Sequence, residues 1–325
     1  MELGVSGFDV EGLVGDGMRP VKATKAFFIK LGERGKWEAE CFRDGTLRLG
    51  YLDQPHDLCA KSDWISVRAS FPKGSDSGSI TRHIYQIRKF YEELKTTLWI
   101  TFYGDKLWWC FAEQEVIQLH DKSKIRKVIG KWRSENINGI PLSKSCISGK
   151  LLAVQSFQGT ICDVKSLEYL LHKINGTSEP HVSAAASAFE DLKDKLIPII
   201  KDLHPKDLET LTDLIFRNAG WQRTSVLGGV EKDLDLQLLS PITKERIGVQ
   251  VKSKASLSVY CACLFDFSEM KGFDRFYFVT HSPDASMKSY EKKPDDVNCV
   301  FWDAVELAQQ AARGGLIDWL LEKSS

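Results

Sequence analysis

Two neighbouring segments, "EKDLDLQLL" and "RIGVQVK", joined by the short polar stretch "SPITKE", constrain the fold more than any other part of the chain. In each segment apolar residues recur at every second position, which is the periodicity of a β-strand with one buried face. The pattern therefore predicts an antiparallel hairpin. Pairing across the loop sets position 239 opposite 246, so that Asp235 lies opposite Gln250 and Asp233 opposite Lys252.

The polar face of this hairpin carries carboxylate, amide and ammonium groups side by side. Unpaired charge is costly inside a fully buried sheet, whereas a divalent cation gives these groups a shared partner. Mg²⁺ prefers oxygen ligands, which Asp235 and Gln250 provide. Lys252 beside a scissile phosphate can orient water and offset negative charge. A solvated hairpin without any ligand has the same periodicity, so both interpretations stay open at this point.

The segments "DLETLTDLIFRNAGWQ", "EKDLDLQL" and "VQVKS" resemble, in this order, the PD-(D/E)xK nuclease core of the Mrr-like restriction endonucleases. The resemblance implies an α/β domain whose mixed central sheet is flanked by helices. It also implies four catalytic positions: the helix acid Glu209, the metal-binding Asp235, and Gln250 and Lys252 of the last motif. The implied cofactor is Mg²⁺ or Mn²⁺.

Two of these assignments have rivals. The chain reads "EKDLD" where many relatives have a glycine between the acids, so Asp233 competes with Asp235 as the metal ligand. Asp213 lies one helical turn beyond Glu209 and competes with it as the helix acid.

The first half of the chain consists mainly of short alternating segments, including "AFFIKL", "TLRLGY", "WISVRASF", "LWITFYG", "KLWWCFA" and "KLLAVQSF", which predict a β-rich domain. The stretch "FFIKLGERGKWEAECFRDGTLRLGY" resembles the opening of EVE domains of the PUA-like superfamily. That resemblance implies an α+β domain with a PUA-like β-barrel, which holds a flipped modified base in an aromatic cage. Tryptophans in small barrels are more often core residues. The candidates for the base pocket are Trp37, Tyr51, Trp64, Trp99 and Trp109.

The basic stretch "KSKIRKVIGKWR" is a second feature of the first half. It could follow a phosphate backbone, or it could be a solvated surface strand. The candidates for contact with the DNA backbone are Lys122, Lys124, Arg126, Lys127 and Arg133.

Composition sets the wider limits. The formal net charge is zero, which argues against indiscriminate binding to nucleic acid. No apolar run approaches the length of a membrane span, and the N-terminus does not have the pattern of a signal peptide. The eight cysteines lack zinc spacing, which indicates reduced thiols and a cytoplasmic protein.

These features together predict an EVE/PUA-like DNA-recognition domain over 1–175, a linker over 176–190 and an Mrr-like endonuclease domain over 191–325. The predicted function is modification-dependent restriction of double-stranded DNA in phage defence, by a homodimer because two strands must be cut. Two alternatives stay open: a defence nuclease that senses a nucleotide signal, and a nucleic-acid-binding protein without catalysis.

Overall fold

A computed structural model of the chain describes residues 19–224, 234–288 and 298–324. The chain divides into two compact units, Met1–Glu179 and Pro180–Ser325. A helix that begins at Pro180 takes up most of the predicted linker over 176–190. The physical reason is the alanine-rich run "SAAASAF", since alanine has the highest helix propensity of all residues.

Unit 1 is built on a mixed sheet. Its strands are β1 (Ala26–Ile29), β2 (Thr46–Leu49), β3 (Leu98–Tyr103), β4 (Lys106–Ala112), β5 (Ile117–Gln118), β6 (Lys124–Arg133) and β7 (Ile161–Asp163). Its helices are α1 (Glu38–Asp44), α2 (His56–Ala60), α3 (Trp64–Ala69), α4 (Ser77–Glu92), α5 (Gly149–Leu152) and α6 (Leu167–Asn175). The strand order is β2-β6-β4-β3-β1-β7, with β5 paired to β6, and β1 and β3 are parallel.

Both faces of this sheet are covered, as the fully buried strand β1 shows. Phe27 packs with residues of α4 such as Phe90, whereas the next residue, Phe28, packs with residues of α6 such as Leu170. The described part of the sheet ends at β2 on one side and β7 on the other. Closure into a PUA-like barrel stays a prediction.

Two segments predicted as strands in unit 1 are helical. "WISVRASF" forms α3, where the Asp63 side chain accepts a hydrogen bond from the backbone N–H of Ser66 at the helix start. Ile65 is 85% exposed while Val67 is buried, so the apolar residues follow the turn of a helix and do not alternate. "KLLAVQSF" forms α5 and a following 3₁₀ turn. In both places a short apolar run fits either period.

Unit 2 has a five-stranded mixed sheet. Its strands are β8 (Gln222–Arg223), β9 (Leu236–Leu239), β10 (Arg246–Ala255), β11 (Arg275–Pro283) and β12 (Cys299–Trp302). Its helices are α7 (Pro180–Lys201), α8 (Pro205–Asn218), α9 (Leu257–Glu269), α10 (Ala285–Lys288), α11 (Ala304–Arg313) and α12 (Ile317–Ser324). The strands are ordered β12-β11-β10-β9-β8; β10, β11 and β12 are parallel, and β8, β9 and β10 are antiparallel.

Helices lie on both faces of the unit 2 sheet. Helices α7, α8, α11 and α12 bury their apolar sides against Ile247, Val249 and Val251 of β10. Helix α9 covers Phe276 and Phe278 on the other face. The prediction of a mixed α/β architecture is therefore confirmed. Within the described residues, no helix combines the length and the hydropathy needed to span a bilayer.

Candidate active site

The hairpin formed by β9 and β10 brings together the polar residues selected from the sequence. Its register pairs Leu239 with Arg246, as the loop length predicts. The Gln250 side-chain amide donates to Asp235 Oδ2 at 2.5 Å, and the backbone N–H of Val251 donates to the same oxygen at 2.6 Å. Asp235, immediately before β9, is thus fixed by the strand that carries the glutamine.

Helix α8 adds the next acid. Burial raises the pKa of Glu209, the negative charge of Asp235 raises it further, and Lys252 acts in the opposite direction. Three side chains from three elements therefore lie within electrostatic range of one another. Asp213, the rival one turn along, lies instead beside Arg217 and Arg223, at 3.8 and 3.9 Å.

Asp233, the alternative to Asp235, falls outside the described residues. The choice between Asp233 and Asp235 as principal metal ligand therefore stays a prediction.

The oxygen donors of this group suit a hard divalent cation. Glu209 and Asp235 are carboxylates, and burial together with the negative charge of Asp235 raises the pKa of Glu209; Gln250 contributes an amide oxygen. Mg²⁺ and Mn²⁺ prefer such oxygen ligands and relieve repulsion between carboxylates. The residues present therefore fit the predicted cofactor.

Two residues beside this group were missed by the sequence analysis. Arg223 belongs to the short edge strand β8, and its guanidinium lies 3.4 Å from the backbone oxygen of Asp235. Cys263 of α9 has a pKa raised by burial, which nearby Lys252 partly opposes. Neither residue belongs to a sequence motif, and only the folded chain places them here.

The tryptophan candidates of unit 1 separate into core and surface residues. Trp99 is fully buried and Trp109 is 3% exposed, so the expected pocket role of both is corrected: they fill the two cores beside the central strands. Trp37 is half-buried with the charged groups of Lys36 and Arg48 each 4.5 Å from its ring. The Trp64 indole donates to Glu92 at 2.7 Å. These four rings are engaged by neighbouring protein groups.

Tyr51, the fifth candidate, lines a cavity. The cavity has a volume of about 390 Å³, and Phe71, Ile80 and His83 also line it. The Tyr51 hydroxyl and His83 Nδ1 are hydrogen bonded at 2.8 Å, and burial raises the pKa of Tyr51 to about 12. The rings of Phe71 and His83 are nearly parallel, at 17°, with centroids 6.1 Å apart. The two aromatic rings and the Tyr51 hydroxyl give this cavity surfaces that suit a planar ring.

The prediction of contact with the DNA backbone is corrected for two of the five basic residues. Lys124 is 1% exposed and donates to the backbone oxygens of Tyr51 and Gln54. Arg126 is fully buried and donates to three backbone oxygens, those of Phe90, Ala112 and Glu113. Strand β6 turns both cations inward, where they cannot reach DNA. The residues that keep exposed surface are Lys122, Lys127 and, half-buried, Arg133.

A separate group of possible metal ligands occurs in unit 1. Ligand atoms of Glu168, His172 and Glu179 lie within 4.8 Å of one another. His172 Nε2 is 3.4 Å from the Glu179 carboxylate, and His172 Nδ1 is hydrogen bonded to Thr177. These contacts account for the cluster as a surface ion pair.

Comparison with known proteins adds little. No protein-family model matches the chain, and no curated protein matches it. Among solved structures, the chain is similar to "DNA modification-dependent restriction endonuclease AspBHI", with 12% sequence identity and a TM-score of 0.29 over 86% of this chain and 79% of that one. A TM-score this low does not indicate a shared fold, so the functional argument depends on the site geometry.

Proposed function

We propose that the protein is a metal-dependent endonuclease of the PD-(D/E)xK type that cleaves double-stranded DNA. The observation that carries this proposal is the grouping of Glu209, Asp235, Gln250 and Lys252, from a helix and the β9–β10 hairpin, in which the negative charge of Asp235 acts on Glu209. A solvated hairpin would not need a helix acid directed at it. The order of these residues along the chain agrees with the resemblance to the Mrr-like nuclease core.

Each residue has a distinct proposed role. Asp235 and Gln250 would hold Mg²⁺ or Mn²⁺, with Asp233 as a further ligand. Bound metal would lower the pKa of a coordinated water and stabilise charge on the phosphate. Lys252 hydrogen bonds the attacking water and offsets charge in the transition state. Glu209 orients the Lys252 ammonium group, because their charges interact.

Unit 1 is proposed to read a modified base. An extruded base gains about 1 to 3 kcal/mol for each aromatic ring on which it stacks. Phe71 and His83 present nearly parallel rings in one cavity, and the Tyr51 hydroxyl fixes the orientation of the His83 ring. Exposed Lys122 and Lys127 would contact the DNA backbone. A homodimer in the cytoplasm would bring one active site to each strand.

Digestion of modified and unmodified DNA tests this proposal. The wild-type protein should cut modified DNA in the presence of Mg²⁺ and leave unmodified DNA intact. Lys252→Ala should abolish cutting without loss of DNA binding. Equal cutting of both substrates that survives Lys252→Ala would refute both the reader and the active site.

A second candidate function has support from the same cavity. A volume of about 390 Å³ could take the base of a mononucleotide as well as an extruded base. In that case a nucleotide signal would control the nuclease. Calorimetric titration of the full-length protein with nucleotides, compared with modified oligonucleotides, distinguishes the two. If neither promotes cleavage and DNA binding persists, a non-catalytic binding protein is the better interpretation.

A further inference from the structure

The outer side of helix α9 carries exposed apolar residues along its first nine residues. Tyr260 is the buried residue among its 13 residues, while Val259 and Phe265 are 38% and 68% exposed. Ala262 lies between them on the exposed side. The sequence "LSVYCACLF" that begins the helix contains no charged residue. A surface helix normally places polar residues on its outer side, so this face is unusual.

The apolar surface continues beyond the helix. The described residues of this sheet face are covered by α9 and the one-turn helix α10, whereas the opposite face has four helices. Phe301 on edge strand β12 remains 40% exposed, and its ring centroid is 6.3 Å from that of Tyr260. Exposed apolar surface of this kind is typical of an interaction site.

The charges on α9 conflict with its own dipole. Asp266 and Glu269 lie near its C-terminus, where the dipole is negative, and no basic residue occupies its last turn. Exposed Lys254 belongs to β10 and precedes the first residue of the helix by three positions. The acids at the C-terminal end of α9 are therefore arranged unfavourably within one chain.

An antiparallel copy of the same helix removes this conflict. We propose that α9 pairs with α9 of a second copy of the chain about a twofold axis close to Ala262. Residues equally distant from position 262 then meet, which places Val259 against the partner's Phe265. The same symmetry brings Glu269 next to the positive helix N-terminus and the partner's Lys254.

This arrangement is self-complementary in shape and charge. A twofold interface requires each contact to occur twice, and apolar–apolar and acid–base pairs both satisfy that requirement. Ala262 is small enough for close approach of the two backbones. A single helix pair is a small interface, so we expect association to depend on protein concentration.

Analytical ultracentrifugation of the full-length protein tests the proposed face. Wild type should show a monomer–dimer equilibrium that shifts with concentration. Ala262→Arg should abolish the dimer, because it inserts a cation on the axis. The matched control is Ile242→Glu, at a residue 90% exposed in the β9–β10 turn, which should dimerise like wild type. Unchanged circular dichroism should show that both variants fold.

Charge reversal supplies a second and more specific test. Glu269→Lys and Lys254→Glu should each weaken association, and the double variant should restore it, since the two residues face each other across the axis. A wild-type protein that is monomeric at every concentration, or a dimer that survives Ala262→Arg, would overturn the proposal. A double variant weaker than either single variant would also contradict it.

The inference names the surface of the proposed homodimer but does not depend on the cleavage chemistry. The Lys252→Ala protein should therefore still dimerise. If it dimerises and wild type does not cut DNA, only the proposed function fails. If wild type cuts DNA as a monomer, the α9 interface and the proposed homodimer fail, whereas the proposed active site stands.

Discussion

Strands β6 and β10 have ten residues each and both place charged or polar side chains on an inner face, but they use them differently. In β6, Arg126 is surrounded by backbone oxygens that accept all its hydrogen bonds in fixed geometry. In β10, Gln250 bonds to a carboxylate from another strand, and Lys252 lies near a second carboxylate from a helix. The partner, and not the residue type, separates a structural cation from a candidate catalytic one.

The energetic consequence differs as well. Burial lowers the pKa of Arg126 to about 10, so the group remains charged at neutral pH and needs its acceptors. In unit 2 burial raises the pKa of Glu209, and the negative charge of Asp235 raises it further. A fully hydrogen-bonded buried network such as that of Arg126 makes the fold rigid.

The largest effect is expected for Lys252 of β10. Lys252→Met should reduce Mg²⁺-dependent DNA cleavage by at least about a hundredfold, because it removes a positive charge from the transition state. Single-turnover cleavage of a modified oligonucleotide measures this. Lys244→Met, at an exposed lysine of the adjacent turn, is the control and should cut at the wild-type rate. If the two variants cut DNA at the same rate, Lys252 of β10 would have no catalytic role that distinguishes it from the structural cation of β6.

The corresponding substitution in β6, at Arg126, should lower the stability of unit 1 without a direct effect on the cleavage reaction. Arg126→Met removes the side-chain donor to the backbone oxygens of Phe90, Ala112 and Glu113 and should destabilise unit 1 by about 3 kcal/mol. Urea unfolding followed by tryptophan fluorescence measures the change. Lys127→Met, one residue along and exposed, should change stability by less than about 0.5 kcal/mol. A loss of DNA affinity without loss of stability in Arg126→Met would reverse the assignment.

The unit 1 cavity provides an intermediate effect. Phe71→Ala should weaken binding of modified DNA by about tenfold, because one stacking surface is lost. Fluorescence anisotropy with modified and unmodified duplexes measures it. Trp64→Ala is the comparison, since its ring lies against Arg88 outside the lining of the cavity, and it should leave the preference for modification intact. If only the Trp64 variant lost the preference for modified DNA, the site that recognises the modified base would lie outside this cavity.

The smallest effect concerns a second buried charge of unit 1. Burial raises the pKa of Glu93, but hydrogen bonds from Lys89 and Thr97 outweigh it, so the net pKa is lowered. A lowered folded-state pKa adds stability above the unfolded value of about 4.3 and loses it as pH falls through the folded value. Glu93→Gln should therefore cost about 1 kcal/mol at pH 7 and much less at pH 3. Thermal unfolding at both pH values checks this; an equal loss at both would exclude the charge as its cause.

From the sequence, the pairing of residues on neighbouring strands was predicted better than the burial of individual side chains. The β9–β10 register followed from loop length and alternation, since a slip by one residue would expose the apolar face. Which of Glu209 and Asp213 lies within electrostatic range of Asp235 depends on how α8 is rotated against the sheet, which one sequence does not determine. The inward direction of Lys124 and Arg126 was equally inaccessible, because it depends on backbone oxygens distant in the chain.

Helical segments were misassigned for a related reason. "WISVRASF" contains β-branched and aromatic residues, but the Asp63 cap and its tertiary contacts select a helix. "AVELAQQAARGGLIDWLLEK" reads as one amphipathic helix, but α11 ends before Gly314 and α12 starts at Ile317. Gly315 has a φ of 70°, a left-handed conformation that breaks the helix.

The most direct test of the central claim is anomalous diffraction from crystals soaked in Mn²⁺. We predict a peak bounded by the carboxylate of Asp235 and the side-chain oxygen of Gln250, with Glu209 nearby, which disappears in the Asp235→Asn protein. Absence of a peak at this position, or a peak confined to Glu168, His172 and Glu179, would contradict the account.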